Sequence, residues 1–193
     1  MEKTMLIAGF GGQGVQTLGK LLSYAANEED KCVMFAPSYG GEMRGGTSNC
    51  TVIIGDRTIS SPNKKYMDVV TVLNEASFQK FAASVRPGGT LIVNESLIKS
   101  ETERKDITVV KVPFSEMTAQ LGSEKSLNVV VLGFLCEYLG VVSSQSASHV
   151  VAEKLGKKEI FRWRSRERER RERKKLQNSY HQPRLHLFQR QRF

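Results

Sequence analysis

Cysteine is scarce in this sequence, and what there is lies scattered. The three cysteines, Cys32, Cys50 and Cys136, form no C-x-x-C pair. A 4Fe–4S cluster takes four thiolates, usually closely spaced, so this chain cannot hold one alone. The odd number also argues against a disulfide framework, which leaves buried free thiols as the plain expectation. No metal-ligating set is expected either. Long apolar runs are missing too: the longest, Val129–Leu135, is interrupted by Gly133 and falls far short of a bilayer's width. Met1–Phe10 runs straight into glycines without a charged-then-apolar leader. Together these absences predict a soluble, cytoplasmic protein without a membrane partner.

What is present fits one domain followed by a tail of different character. The 193 residues, 39% of them hydrophobic, suffice for a single core. The net charge of +9 is unevenly spread. Residues 157–193 carry 14 Lys and Arg against 4 acidic residues, while residues 1–156 are nearly neutral. The expected organisation is therefore a folded domain over 1–156 and a basic, disordered or aberrant tail over 157–193. Two origins fit the Arg/Glu-rich tail: purine-rich codons read out of frame, or a native basic extension. The aromatics interleaved there, Trp163, Tyr180 and Phe188, are sparse and match no RNA-binding motif, so nucleic acid is not an expected partner.

Within 1–156, apolar runs alternate with helical patterns. Lys3–Phe10, Lys31–Ala36, Thr47–Gly55, Met67–Leu73, Thr90–Val93 and Asp106–Val112 read as strands. Val15, Leu18, Leu21, Leu22, Ala25 and Ala26 recur at helical spacing. A second helix is expected after Asn74, its cap, with Phe78, Phe81, Ala82 and Val85 on one face and Pro87-Gly88-Gly89 as its stop. A short helix around Ser115–Leu121, an all-apolar buried helix over Asn128–Leu139 and a last helix over Ser146–Leu155 complete the pattern. The fold class this predicts is α/β, a three-layer α/β/α arrangement around a mixed, partly parallel sheet.

Two glycine-rich loops carry the chemistry. Gly9, Gly11 and Gly14 satisfy G-x-G-x-x-G between a strand and a helix. Such glycines let the backbone approach a ligand, and the helix start offers unpaired N–H groups to an anion. The plain alternative is that they only permit close packing of strand on helix. An ordinary dinucleotide site would also want a carboxylate at the end of the second strand, where this chain has Ala36-Pro37-Ser38. The second loop is Pro37-Ser38-Tyr39-Gly40-Gly41-Glu42-Met43-Arg44-Gly45-Gly46-Thr47-Ser48. Arg44 offers a planar fork for phosphate or carboxylate, Glu42 can orient it, and Tyr39 offers a flat face and a hydroxyl. If the first two strands are neighbours in a parallel sheet, the two loops meet at its carboxyl edge.

GFGGQGV after the first strand, followed some 25 residues on by PSYG-x-E-x-RGG-x-S, resembles the gamma subunit (or fused gamma domain) of the pyruvate and 2-oxoglutarate:ferredoxin oxidoreductases. Ser61-Pro62, and Lys125-Ser126-Leu127-Asn128-Val129 through Leu132-Gly133, are similar to that family too. The resemblance covers about residues 3–156. It implies oxidative decarboxylation of a 2-oxoacid on thiamine diphosphate, electron transfer through iron–sulfur clusters to ferredoxin, and release of an acyl-CoA. It further implies that alpha, beta and delta-type subunits hold the thiamine diphosphate and the clusters, and that this chain helps to form the coenzyme A side of the active site. Carried onto this sequence, Gly11, Gly12, Gln13, Gly14, Ser38, Tyr39, Gly40, Glu42, Arg44, Gly45 and Gly46 would line that interface. No residue reads as a nucleophile or general base, so catalytic residues are not expected on this chain and the isolated chain is expected to be inactive. A stand-alone Rossmann-like nucleotide-binding domain is the competing expectation.

Overall fold

The computed structural model describes residues 2–38, 47–61, 64–122 and 126–156. Strand β1 (Glu2–Phe10) opens on Glu2-Lys3-Thr4, is apolar from Met5 onward and is buried from Thr4 to Gly9, as the middle of a strand covered on both faces must be. Helix α1 (Val15–Asn27) follows, burying Val15, Leu18, Leu21, Leu22, Ala25 and Ala26, the stripe its spacing predicts. Then come β2 (Cys32–Ser38), β3 (Thr47–Gly55) and β4 (Met67–Val72). Helix α2 (Glu75–Phe81) is capped by Asn74, whose Oδ1 accepts the Ser77 N–H at 2.8 Å. Next are β5 (Val85–Asn94), β6 (Thr108–Val112), α3 (Phe114–Ala119), α4 (Leu127–Leu139) and α5 (Ser144–Leu155).

The second helix is shorter than the sequence predicts. After Phe81 the chain makes one 3₁₀ turn, Ala82–Ser84, and Val85 already opens β5. Val85 is fully buried against the sheet's own cluster, so its apolar character serves a strand, not a helix face. Pro87-Gly88-Gly89 therefore lies inside β5 and does not stop the helix. The register between β4 and β5 shifts there, between Met67 and Val69. A Cβ on Gly89 would stand 2.9 Å from both the Arg86 and the Asp68 carbonyl oxygens, so the irregularity needs glycine.

The six strands form one mixed sheet in the order β2-β3-β1-β4-β5-β6. Strands β1, β4, β5 and β6 pair in parallel, while β3 runs antiparallel to both β1 and β2. The first two strands are thus parallel in direction but not neighbours, because β3 lies between them. Leaving β1 the chain turns towards β2, and leaving β4 it turns towards β5. The switch in direction falls between β1 and β4. One sheet face packs Met5, Ile7, Cys50, Val52, Val69 and Leu73 against α1, α4 and α5. The other packs Leu6, Ala8, Val70, Val72, Leu91 and Val93 under Phe78 of α2 and Ile98. This is the expected layered architecture, with the helices unequally shared. No described helix is long and apolar enough to cross a membrane.

A polar clasp ties the α1–β2 turn to the α4–α5 link. The Glu29 carboxylate accepts the Lys31 ammonium at 2.8 Å, the Ser143 N–H at 2.6 Å and the Ser146 hydroxyl at 2.8 Å. Lys31 also donates to the Val141 carbonyl at 2.6 Å. Partial burial alone would raise the Glu29 pKa, but the bonds from Lys31, Ser143 and Ser146 outweigh it and hold the carboxyl at about 2. A depressed carboxyl stabilises the fold above its unfolded pKa, near 4.5, and loses that contribution as the pH falls towards 2. Urea unfolding from pH 6 to 2.5 is expected to show a steeper loss of stability for the native chain than for Glu29→Gln. Parallel curves would mean that the clasp contributes nothing.

Candidate anion site at the carboxyl edge of the sheet

The first glycine loop divides into two kinds of position. A Cβ on Gly9 would come within 2.6 Å of Gln13 Oε1, 3.0 Å of Val15 Cγ2 and 3.2 Å of Leu73 Cβ. Gly14, left-handed at φ 73°, presses against Asn128 of α4, whose Cβ and Nδ2 would both lie 3.1 Å from an added Cβ. These two glycines permit close packing. Gly11 and Gly12 do not: both are exposed, an added Cβ at either meets nothing within 4 Å, and Gly12 needs its positive φ of 99°. The packing reading therefore holds at Gly9 and Gly14, while Gly11 and Gly12 leave the backbone bare.

Gln13 fixes the shape of the turn. Its N–H reaches the Phe10 carbonyl at 3.2 Å, and its side-chain Oε1 accepts the Phe10 N–H at 2.6 Å. The same Oε1 accepts from Asn74 Nδ2 at 3.2 Å, and Gln13 Nε2 donates to the Leu73 carbonyl at 3.3 Å. That carbonyl takes a second bond, from Asn94 Nδ2 at 3.2 Å, and Asn94 Nδ2 also reaches Ser115 Oγ at 3.0 Å. Gln13, Asn74 and Asn94 thus form a row of carboxamides across the carboxyl ends of β1, β4 and β5. Asn74 and Asn94 are 1% and 0% exposed, so the row is a buried, bonded brace. Asn94 escaped the sequence reading because one Asn at a strand's end carries no signal until its neighbours are known.

Beyond the brace, α1 opens without a side-chain cap and with no acid in its first turn. Its leading N–H groups and the positive end of its dipole face the edge where Gly11 and Gly12 lie. Gln16, in that first turn, donates from Nε2 to Ser48 Oγ at 3.2 Å and to the Asn49 carbonyl at 2.8 Å. The helix start is thereby bonded to the beginning of β3, where the second loop returns to the sheet. Register places the same loop's two roots at this edge: Phe10 pairs with Thr47, and Ser38 with Asn49. Of the predicted site residues, Gly11, Gly12, Gln13, Gly14 and Ser38 stand along one edge. Tyr39, Gly40, Glu42, Arg44, Gly45 and Gly46 lie outside the described residues, as do Pro62, Lys125 and 157–193.

Of the thiols, Cys50 reaches the start of α1, donating from Sγ to the Val15 carbonyl at 3.6 Å. Cys50 and Cys136 are buried and Cys32 is half-buried, none of them paired in a disulfide. Burial pushes the Cys50 thiol up to about 12, which leaves it protonated and unreactive. Among the described residues no cluster of His, Cys, Asp and Glu could hold a metal ion.

The model of the family described as pyruvate ferredoxin/flavodoxin oxidoreductase matches residues 4–162, which include both glycine loops. The chain belongs to this family. The 2-oxoglutarate synthase subunit KorC of Methanocaldococcus jannaschii is 31% identical over 160 residues, covering 81% of this chain and 86% of KorC. Ketoisovalerate oxidoreductase subunit VorA of Methanothermobacter marburgensis is 34% identical over 134 residues, which span 69% of this chain but only 28% of VorA. Family members thus occur both as a small separate subunit and as a segment of a longer chain. Among solved structures, the gamma subunit of a keto/oxoacid ferredoxin oxidoreductase from Geobacter sulfurreducens superposes with a TM-score of 0.74 at 26% identity, over 86% of this chain and 91% of that one. The 2-oxoglutarate:ferredoxin oxidoreductase of Magnetococcus marinus, solved with 2-oxoglutarate, coenzyme A and succinyl-CoA bound, shares the fold at a TM-score of 0.76 and 19% identity, over 83% of this chain and 29% of that one.

Replacing Gln13 by Ala removes three side-chain bonds from the turn and is expected to destabilise the chain by about 1–3 kcal/mol in chemical denaturation. Gln13→Glu keeps the acceptor for Phe10 and Asn74 and should lose less. Equal midpoints for both variants and the native chain would show that the turn is held by other means.

Proposed function

We propose that this chain is the gamma-type subunit of a thiamine-diphosphate-dependent 2-oxoacid:ferredoxin oxidoreductase, where it shapes the coenzyme A side of the active site. The observation that carries this reading is the shared edge. The exposed Gly11 and Gly12, the uncapped start of α1 and both roots of the second loop stand together there. An edge rich in N–H donors and free of side-chain bulk suits an anionic cofactor group presented across a subunit contact. In this reading residues 1–156 are the working domain and residues 157–193 a basic appendage to it. Thiamine diphosphate and iron–sulfur clusters belong to the alpha, beta and delta-type partners, which pass electrons to ferredoxin. The cytoplasm is the compartment this chemistry suits.

The competing reading, a free-standing dinucleotide-binding domain, meets two obstacles in this fold. A dinucleotide lies across the switch point of a doubly wound sheet, and here Gln13, Asn74 and the Leu73 carbonyl bridge that point directly. The end of β2 supplies no carboxylate for a ribose.

Reconstitution tests the proposal. The isolated chain should oxidise neither pyruvate, 2-oxoglutarate nor an aryl-pyruvate, and adding it to its partner subunits should restore acyl-CoA formation. Full turnover by partners lacking this chain would sink the assignment. Within the complex, Arg44→Ala should weaken use of coenzyme A or of the 2-oxoacid by roughly 10- to 100-fold, the loss of one charge-assisted contact. Unchanged kinetics for both would relieve Arg44 of that role.

A further inference from the structure

The sheet has two outer edges, and they are built differently. On one side β6 is five residues long and carries Lys111, ion-paired to Glu101. Charge on a short edge strand discourages other strands from joining it. On the other side β2 is seven residues long, Cys-Val-Met-Phe-Ala-Pro-Ser, without one charge. Its first five residues are half-buried, and among the described residues no backbone hydrogen bond reaches it from beyond the sheet.

Register settles which polar groups this edge presents. The Ala8 carbonyl accepts the Leu73 N–H at 2.9 Å, so even-numbered residues of β1 turn to β4 and odd-numbered ones to β3. Ile7 and Gly9 therefore bond Cys50 and Ser48, which leaves Asn49, Thr51 and Ile53 to face β2. Their partners there are Ser38, Ala36 and Met34. Val33, Phe35 and Pro37 consequently turn their backbone groups outward. Pro37 agrees with this, because a strand proline belongs where no N–H has to be given. The open edge thus offers the N–H and C=O of Val33 and of Phe35, placed evenly about Met34 and bounded by Pro37.

We propose that two copies of this chain pair through β2, antiparallel about a two-fold axis at Met34, into a continuous sheet with six strands from each copy. In that register Val33 of one copy faces Phe35 of the other, and every outward N–H and C=O of these residues finds a partner. A two-fold axis brings each residue of the strand near its own copy, so a charge there would be repelled, and β2 has none. Nor does β2 offer a charge by which to select a strand of different sequence. Val33 and Phe35 pack on the α1 side, while Met34 takes the other face, outside both core clusters, and meets its copy across the axis. Helix α1 rests on β2 and β3 together, so its copy would stand about two strand spacings away, ~10 Å, a distance at which helices pack. The contact closes on itself, and the charged β6 edge gives no place for a third copy. Such a pairing is small beside the ~800 Å² per partner of a stable dimer, so a Kd on the order of 10–100 µM is expected. It does not depend on the proposed function.

The test is sedimentation equilibrium of the full chain over about 5–500 µM in ~0.3 M sodium chloride, which screens the basic residues of 157–193. The native chain should approach twice its monomer mass as its concentration rises. Met34→Lys and Met34→Glu should each weaken association roughly tenfold or more, and an equimolar mixture of the two should associate again, because opposite charges then meet at the axis. Val33→Pro removes one outward N–H and no bond to β3, and gives a second disruption should either charged variant misfold. Amide exchange read by NMR adds the strand's alternation: the Val33 and Phe35 N–H should slow with concentration, while those of Met34 and Ala36, already bonded to β3, stay as they are. A monomer at every concentration would overturn the pairing. So would association that survives all three substitutions, or a Lys/Glu mixture no tighter than either variant alone. Slowing at Val33 and Phe35 only when partner subunits are added would overturn it too, and would give the edge to a partner's strand.

Discussion

One carboxamide, that of Gln13, holds together the part of this fold that matters. It spans from the Phe10 amide at the end of β1 to the Leu73 carbonyl and Asn74 at the end of β4. Those strands flank the point where the chain's winding reverses, and a sheet of this kind normally leaves a crevice there. In this chain the crevice is closed by side chains. The turn after β1 is therefore pinned from inside, and Asn74, pinned by the same bonds, also sets where α2 begins. What stays exposed at this edge is displaced outward, to Gly11 and Gly12 beside the start of α1.

That displacement separates two kinds of glycine within one motif. Gly9 and Gly14 have no room for a methyl group, because the brace and Asn128 fill the space beside them. Gly11 and Gly12 have nothing beside them at all. Packing glycines set the path of the backbone, and open glycines leave it bare. The antiparallel strand β3 matters for the same reason. Inserted between β1 and β2, it brings the returning end of the second loop beside Phe10, where a wholly parallel arrangement would place that loop one strand closer but without the bond from Gln16 to Asn49.

Much of this was legible in the sequence. The periodicity of Val15 to Ala26 locates α1 and its buried face, and Asn74 is readable as a cap. The family resemblance rests on the two loop motifs and is upheld by the comparison over residues 4–162. Three things were not legible. The stop assigned to Pro87-Gly88-Gly89 is instead a register shift inside β5, because proline and glycine mark helix ends and strand irregularities alike. The position of β2, one strand away from β1, depends on a β2–β3 pairing that no local pattern encodes. The roles of Gln13, Asn94 and Asn128 were hidden for a third reason: each amide acquires its meaning from a partner some twenty to more than a hundred residues away in the chain.

Helix α1 lies unusually close to the strands beneath it. A Cβ on Gly19 would fall 2.6 Å from Cys50 Sγ on β3 and 2.7 Å from the ring of Phe35 on β2. With Gln16 bonded to β3 and Gly19 seated against Cys50 and Phe35, the helix is packed closely onto the β2–β3 pair, while Glu29 ties its far end to the α4–α5 link. Any side chain larger than glycine at position 19 would therefore have to lift α1 off both strands at once, which makes this one residue the spacer that sets the distance between helix and sheet.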